Sequence, residues 1–209
     1  MSKISLKHSG GNVVSLNSPT SAPTSADVAF KLPNADGTSG QAIVTDASGN
    51  LSFAATGKIL QVKSVSKTDT FSSNTAGAQD ITGLTITMDA PASVNSKYFV
   101  IASLCGTASN SGFCFLLNGT TTGQLLTPSS TSSRIAGMGG ELYHDRVDSN
   151  HYHTLTVLDD PDTTATQTYK AQIFIRSGQT GYVNRTESDT DTVGRVRSVS
   201  TLTVFEVES

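Results

Sequence analysis

From residue 58 onward apolar and polar side chains alternate at period two, in short runs separated by polar turns. Residues 58–65, 80–88, 113–117, 152–158, 169–176 and 196–207 carry the pattern, and 124–126 and 134–138 carry it more weakly. Residues 97–105 are almost continuously apolar, as in a strand covered on both faces. No apolar stripe at helical spacing lasts more than a turn or two. Period two places every second side chain on the same face of a sheet, so about eight such runs predict an all-β chain folded as a sandwich or jelly roll. Composition supports this. Serine and threonine make up roughly 28% of the chain, glycine contributes 18 residues and charged residues only 15%. Helical bundles and coiled coils need more alanine, leucine, glutamate and lysine, and disordered tails carry more charge and fewer β-branched residues.

Before residue 58 the rhythm is shorter. Candidate strands at 4–7, 13–16, 28–32, 41–45 and 51–54 are split by turn clusters and by a proline-spaced linker at 17–23. Asp36-Gly37 and Ser48-Gly49-Asn50 are hairpin signals, because both supply residues that tolerate positive φ. Strands this short cannot close a core alone. The chain therefore divides into an N-terminal attachment or stem segment, 1–57, and a C-terminal β-sandwich domain, 58–209. The first segment is expected to bury its faces against other copies or a host particle. Ile4, Leu6, Val13 and Leu16 are the anchoring candidates.

A net charge of −3 gives no electrostatic reason to expect nucleic acid or an anionic membrane as partner, and no stretch reaches the 18 apolar residues of a membrane helix. Residues 1–8 contain no apolar run of signal-peptide length, so synthesis in a reducing host cytoplasm is expected. Cys105 and Cys114 are then expected as buried free thiols, although facing strands could bring them together.

Several polar clusters are candidates for chemistry. His151 and His153 fall on one face of a strand by alternation, and three such strands around an axis would offer six nitrogens to a divalent transition metal. The competing reading is an exposed loop leading into strand 154–158, and it is preferred, with no metal or other cofactor expected. Asp159, Asp160 and Asp162 bracket Pro161, with Glu141, Asp145 and Asp148 upstream; a carboxylate pair among them could hydrolyse a glycosidic bond. Aromatic residues to seat a sugar are few and tryptophan is absent, so no enzymatic activity is expected. Gly137-Met138-Gly139-Gly140 lacks the lysine of a phosphate loop and reads as a flexible turn. Arg195 and Arg197 share a strand face by alternation and could pair with Glu187 or Asp189 of a neighbouring chain. Tyr143, Tyr152 and Tyr182, in or beside the loops 124–152 and 179–191, are the candidates for contact with a receptor or partner.

The segment Leu32-Pro33-Asn34-Ala35-Asp36-Gly37-Thr38-Ser39-Gly40-Gln41, continued by Thr45-Asp46-Ala47-Ser48-Gly49-Asn50-Leu51 and Phe53, resembles one common in fibre and appendage proteins of tailed bacteriophages. The remainder is similar to a β-rich domain that follows such segments in phages, especially those of marine bacteria, through Ile81-Thr82-Gly83-Leu84, residues 155–159 with Pro161, and the closing strand 200–207. The resemblance implies a virion structural protein, usually a homotrimer. Its N-terminal part would dock on other virion proteins (tail, portal-proximal or capsid), while its C-terminal domain is displayed toward solvent or a host-cell receptor. It brings no catalytic residues. A capsid decoration or head-fibre protein shares every feature above, and a short polysaccharide depolymerase is the enzymatic alternative.

Overall fold

The computed structural model of the chain describes residues 3–7, 9–11, 13–17, 20–21, 30–38, 41–55, 59–109, 112–129, 132, 134–141 and 147–208. It resolves into two compact units, Met1–Thr56 and Gly57–Ser209. The described residues are all-β, with no helix.

In the first unit β1 (Lys3–Lys7) pairs antiparallel with β2 (Val13–Asn17), and β3 (Gln41–Thr45) with β4 (Leu51–Ala55). Asp46 makes the second turn: its Oδ1 accepts from the Ser48 and Asn50 amides at 2.8 and 3.1 Å, while Ala47 and Gly49 take φ of 64° and 86°. Lys31 adds a third row, its amide donating to the Gly49 carbonyl and its own carbonyl accepting from Leu51, both at 2.8 Å. The Ser48-Gly49-Asn50 hairpin is present. The hairpin expected at Asp36-Gly37 is not, because β3 takes β4 as its partner. Gly37 serves a different purpose, since a Cβ there would lie 2.6 Å from the Phe53 ring. Of the strand expected at 28–32, residues 28 and 29 lie outside the described residues, and Lys31 alone makes a bridge.

The second unit contains β5 (Ile59–Lys67), β6 (Phe71–Ser73), β7 (Gly77–Thr87), β8 (Lys97–Ala108), β9 (Phe113–Gly119), β10 (Gly123–Gln124), β11 (Gly139–Glu141), β12 (His151–Asp159), β13 (Thr168–Ile175), β14 (Gly181–Val183) and β15 (Ser200–Val207). One sheet runs β12–β8–β15–β5, with β14 and β6 continuing the rows of β15 and β5 along β8. The other runs β7–β13–β9, and both β10 and β11 pair with the free edge of β9. With the interrupted pairs counted as single rows, eight rows in chain order distribute 1-8-3-6 and 2-7-4-5 between two antiparallel sheets. That is the double Greek-key order of a jelly roll.

The core fills from both sheets: Tyr98, Val100, Ala102 and Leu104 of β8, Leu202 and Val204 of β15, and Phe115, Leu117, Tyr169 and Ile173 of β9 and β13. Between Lys170 and Gln172 the pairing with β7 shifts from Thr85 to Asp80, so the intervening residues of β7 bulge. Gly83 takes φ 87° within that bulge, and Ile81 and Leu84, three apart, are both fully buried.

Three expected strand features are corrected. Residues 97–105 were expected to be covered on both faces, but coverage holds only from Leu104 to the end of β8, where the segment between β14 and β15 ties onto it; Phe99 is exposed. The strand expected from 196 starts at Ser200, with Val196 and Val199 exposed before it. Gly139 and Gly140, read as a flexible turn, form β11 against β9 so closely that a side chain on Gly140 would overlap the Phe113 carbonyl.

Candidate functional site

Among the described residues, the carboxylates singled out by sequence do not converge. Asp159, the last residue of β12, turns into the interior, where it accepts hydrogen bonds from the Tyr169 hydroxyl and from Thr122 Oγ1, both at 2.7 Å. Asp160 pairs with Lys97 at 3.1 Å, and Asp162 is an exposed turn residue at φ 47°. Asp148 pairs with Arg195 at 3.3 Å. Glu141 contributes backbone to β11, but its side chain, like all of Asp145, lies outside the described residues.

Arg185, Arg195 and Arg197 each pair with an acidic residue of their own chain. Asp189 Oδ2 takes Arg197 Nη2 at 2.6 Å and Arg185 Nε at 3.6 Å. Arg195 and Arg197 do not sit on a strand, because residues 195–199 precede β15.

His151 and His153 both lie on β12, opposite Gly106 and Leu104. They share a face of the strand, as alternation predicts. That face is the inner one, and the His153 ring stands edge-on to Phe113 and Phe115, each 5.7 Å away between centroids. It packs as part of the core rim. Among the described residues no group of three histidine, cysteine, aspartate or glutamate side chains could hold a metal ion.

The tyrosines separate in the same way. Tyr143 lies outside the described residues, as does the rest of 142–146. Tyr152 and Tyr182, expected in or near loops, stand on β12 and β14. The Tyr152 ring is exposed while its hydroxyl donates to the Val199 carbonyl at 3.1 Å; the Tyr182 ring carries the Arg185 guanidinium 4.8 Å from its centroid. Ile4 stands opposite Leu16 and Val13 opposite Lys7 in the β1–β2 pairing, and their side chains lie outside the described residues.

A groove of about 480 Å³ missed by sequence reasoning lies over the outer edge of β9, between Phe113, Cys114, Ile135 and Met138, with Arg134 and Arg176 among its lining residues. Both thiols are free. Burial pushes Cys114 up to about 11, and it also raises Cys105 against the opposing hydrogen bond from Ser198. A thiol this basic stays protonated at neutral pH, so the groove offers packing surface rather than a nucleophile.

Apart from scattered loop residues such as Leu126 and Val193, two groups of exposed apolar side chains stand out. In the first unit Phe30, Leu32 and Ile43 are 65%, 79% and 56% exposed. In the second, Val62, Phe99 and Leu158 lie on the outside of one sheet.

No family model matches the chain, and no curated protein does. Among solved structures it is similar to a chain of the infectious bursal disease virus Gt strain, at 18% identity and a TM-score of 0.36, over 80% of this chain and 42% of that one. It is also similar to a chain of the VP2 subviral particle of infectious bursal disease virus, at 15% identity and a TM-score of 0.31, over 76% and 43%. The chain thus spans roughly two fifths of the length of these neighbours.

Proposed function

We propose that this chain is a virion structural protein, a small trimeric bacteriophage fibre or appendage protein. Its N-terminal unit docks on the particle and its jelly-roll domain is displayed. The observation that carries the reading is the first unit's open construction. Its hairpins are two-stranded apart from the single bridge at Lys31, and Phe30, Leu32 and Ile43 remain largely in water. Hairpins of that size are marginal alone, and leaving large apolar side chains solvated costs roughly 1.5–3 kcal/mol apiece relative to burial. Other chains that complete each layer would recover that energy. The phage-like residues 32–53 fall on this unit, with the Asp46 turn joining β3 to β4. The second unit supports a mechanical role, since Asp159, Asp160, Asp148 and Asp189 are each bonded to a neighbouring side chain.

Light scattering coupled to size exclusion tests this. Full-length protein is expected at the mass of three 21.7 kDa chains. Leu32→Asp combined with Ile43→Asp should move it toward one chain. A single-chain mass for the unaltered protein at all concentrations would overturn the trimeric reading. Copy number on the particle separates an appendage, present as a few trimers, from a head decoration present in many copies.

A further inference from the structure

The two outer faces of the jelly roll differ. On the β7–β13–β9 sheet, Asp80, Lys170 and Gln172 point outward and bind one another, with Lys170 Nζ 2.8 Å from the Asp80 carboxylate. That is an ordinary solvated face. On the β12–β8–β15–β5 sheet the registers align Leu158 with Phe99, Phe99 with Phe205, and Phe205 with Val62. These four apolar side chains form one lateral row across all four strands. Phe99 and Phe205 touch at 6.3 Å between centroids, yet Leu158, Phe99 and Val62 remain 55%, 37% and 50% exposed. Beyond the row, the outward positions of β12, β15 and β5 are serine and threonine as far as Tyr152, and Ile101 lies between them on β8. None of these outward side chains is charged. At one end of the face Lys97 and Asp160 pair with each other.

We infer that this uncharged outer face is the surface through which the jelly-roll domains of neighbouring copies of this chain pack on one another. Absence of charge marks the core of an interface rather than a solvated surface, and a charged partner would find nothing on the face to pair with. Size identifies the partner further. Four strands about 4.8 Å apart and seven residues at about 3.3 Å each give on the order of 400 Å² per copy. A freestanding specific interface needs about 800 Å² per partner. The face is thus too small to recruit a free partner tightly. It suffices for a copy already held nearby, where tethering supplies an effective concentration in the millimolar range. The first unit provides such a tether if the trimeric reading above is right, and the inference rests on that reading.

The test compares the unaltered full-length protein with Phe99→Asp/Leu158→Asp by light scattering across a dilution series, with circular dichroism as the check on folding. The double variant is expected to dissociate at a concentration at least ten-fold higher than the unaltered protein. In parallel, Thr156→Cys places a thiol on the face and Thr85→Cys places one on the opposite sheet's outer face. A short bismaleimide should link chains through Thr156→Cys and not through Thr85→Cys. If the unaltered protein is a trimer, and the double variant dissociates identically or Thr156→Cys does not cross-link, this face is not the contact and the trimeric reading survives. If the unaltered protein is a single chain throughout, both fail. A misfolded double variant leaves the cross-linking pair to decide.

Discussion

Asn184→Ala is expected to lower the unfolding free energy by about 3–5 kcal/mol, a large part of the roughly 5–15 kcal/mol that holds a domain of this kind together. Asn184 is fully buried at the end of β14, with φ 62°. Its Nδ2 donates to the carbonyls of Lys67 and Asp69, at 2.8 and 3.0 Å, and so fixes the corner where β5 becomes β6. Its Oδ1 accepts from Ser200 Oγ at 2.6 Å, and that hydroxyl accepts from the Cys105 amide at 3.0 Å. Its own amide donates to the Cys105 carbonyl at 3.0 Å. One side chain therefore binds the β5–β6 corner to the start of β15, and through Ser200 to the central strand. Alanine removes three side-chain hydrogen bonds of about 1 kcal/mol each, leaves buried carbonyls unpaired, and adopts the left-handed conformation less readily than asparagine. At about 2–4 °C per kcal/mol for a chain of this length, the melting temperature should fall by about 6–20 °C. Asn184→Gly should regain about 1 kcal/mol of this, because it relieves φ without restoring the bonds. Asn184→Asp should gain nothing at neutral pH, since its carboxylate would face two carbonyl oxygens. An unfolding free energy for Asn184→Ala, from urea titration, within about 1 kcal/mol of the unaltered protein would refute the stapling role.

That residue also shows where sequence stops being informative. Alternation is a local signal, and it located the longer strands β5, β7, β8, β9, β12, β13 and β15, though not β6, β11 or β14, because burial on one face of a strand needs only every second residue to be apolar. The interruption of a row is not local. Residues 196–200 alternate like strand, yet the Asn184 carbonyl takes the Ser198 amide and holds that segment at the end of the sheet until Ser200. Asp36-Gly37 and Ser48-Gly49 look alike in sequence. What separates them is pairing: β3 takes β4 across the Ser48-Gly49 turn, which leaves Gly37 packed against the Phe53 ring instead.

The candidate groups failed in a similar way. Alternation correctly put His151 and His153 on one face of β12, but it cannot say that Phe113 and Phe115, on the other sheet, meet His153 there. Asp159 sits in a run that reads as an ordinary exposed turn, yet it ends a strand whose inner face points at Tyr169. The row Leu158–Phe99–Phe205–Val62 is visible only once four strands distant in sequence are set in register. Each of its residues alone looks like an ordinary strand position.

Above pH 10 the protein should lose stability steeply, and two core tyrosines should account for the slope. The rings of Tyr98 and Tyr169 lie 5.4 Å apart, and both residues are fully buried. Burial lifts the Tyr98 hydroxyl from its ordinary 10 to about 12, and the nearby negative charges of Glu206 and Asp159 add to the rise. Burial also pushes Tyr169 up, reinforced by its hydrogen bond to Asp159 and by that residue's charge. The folded state therefore keeps protons that the unfolded chain releases near pH 10. The stabilisation is complete below that pH and is lost as pH climbs through the folded values. Each tyrosine contributes about 1.4 kcal/mol per pH unit in that window, so the pair gives about 2.7 kcal/mol per unit between pH 10 and 12. Substitution should separate the two residues at neutral pH. The Tyr98 hydroxyl has no hydrogen-bond partner, so Tyr98→Phe should be neutral or stabilising by about 1 kcal/mol. Tyr169→Phe removes a donor from a buried carboxylate and should cost about 2 kcal/mol. Urea unfolding from pH 8 to 11.5 should show each variant with about half the alkaline slope. If the double variant lost stability as steeply as the unaltered protein, the alkaline transition would belong to other groups.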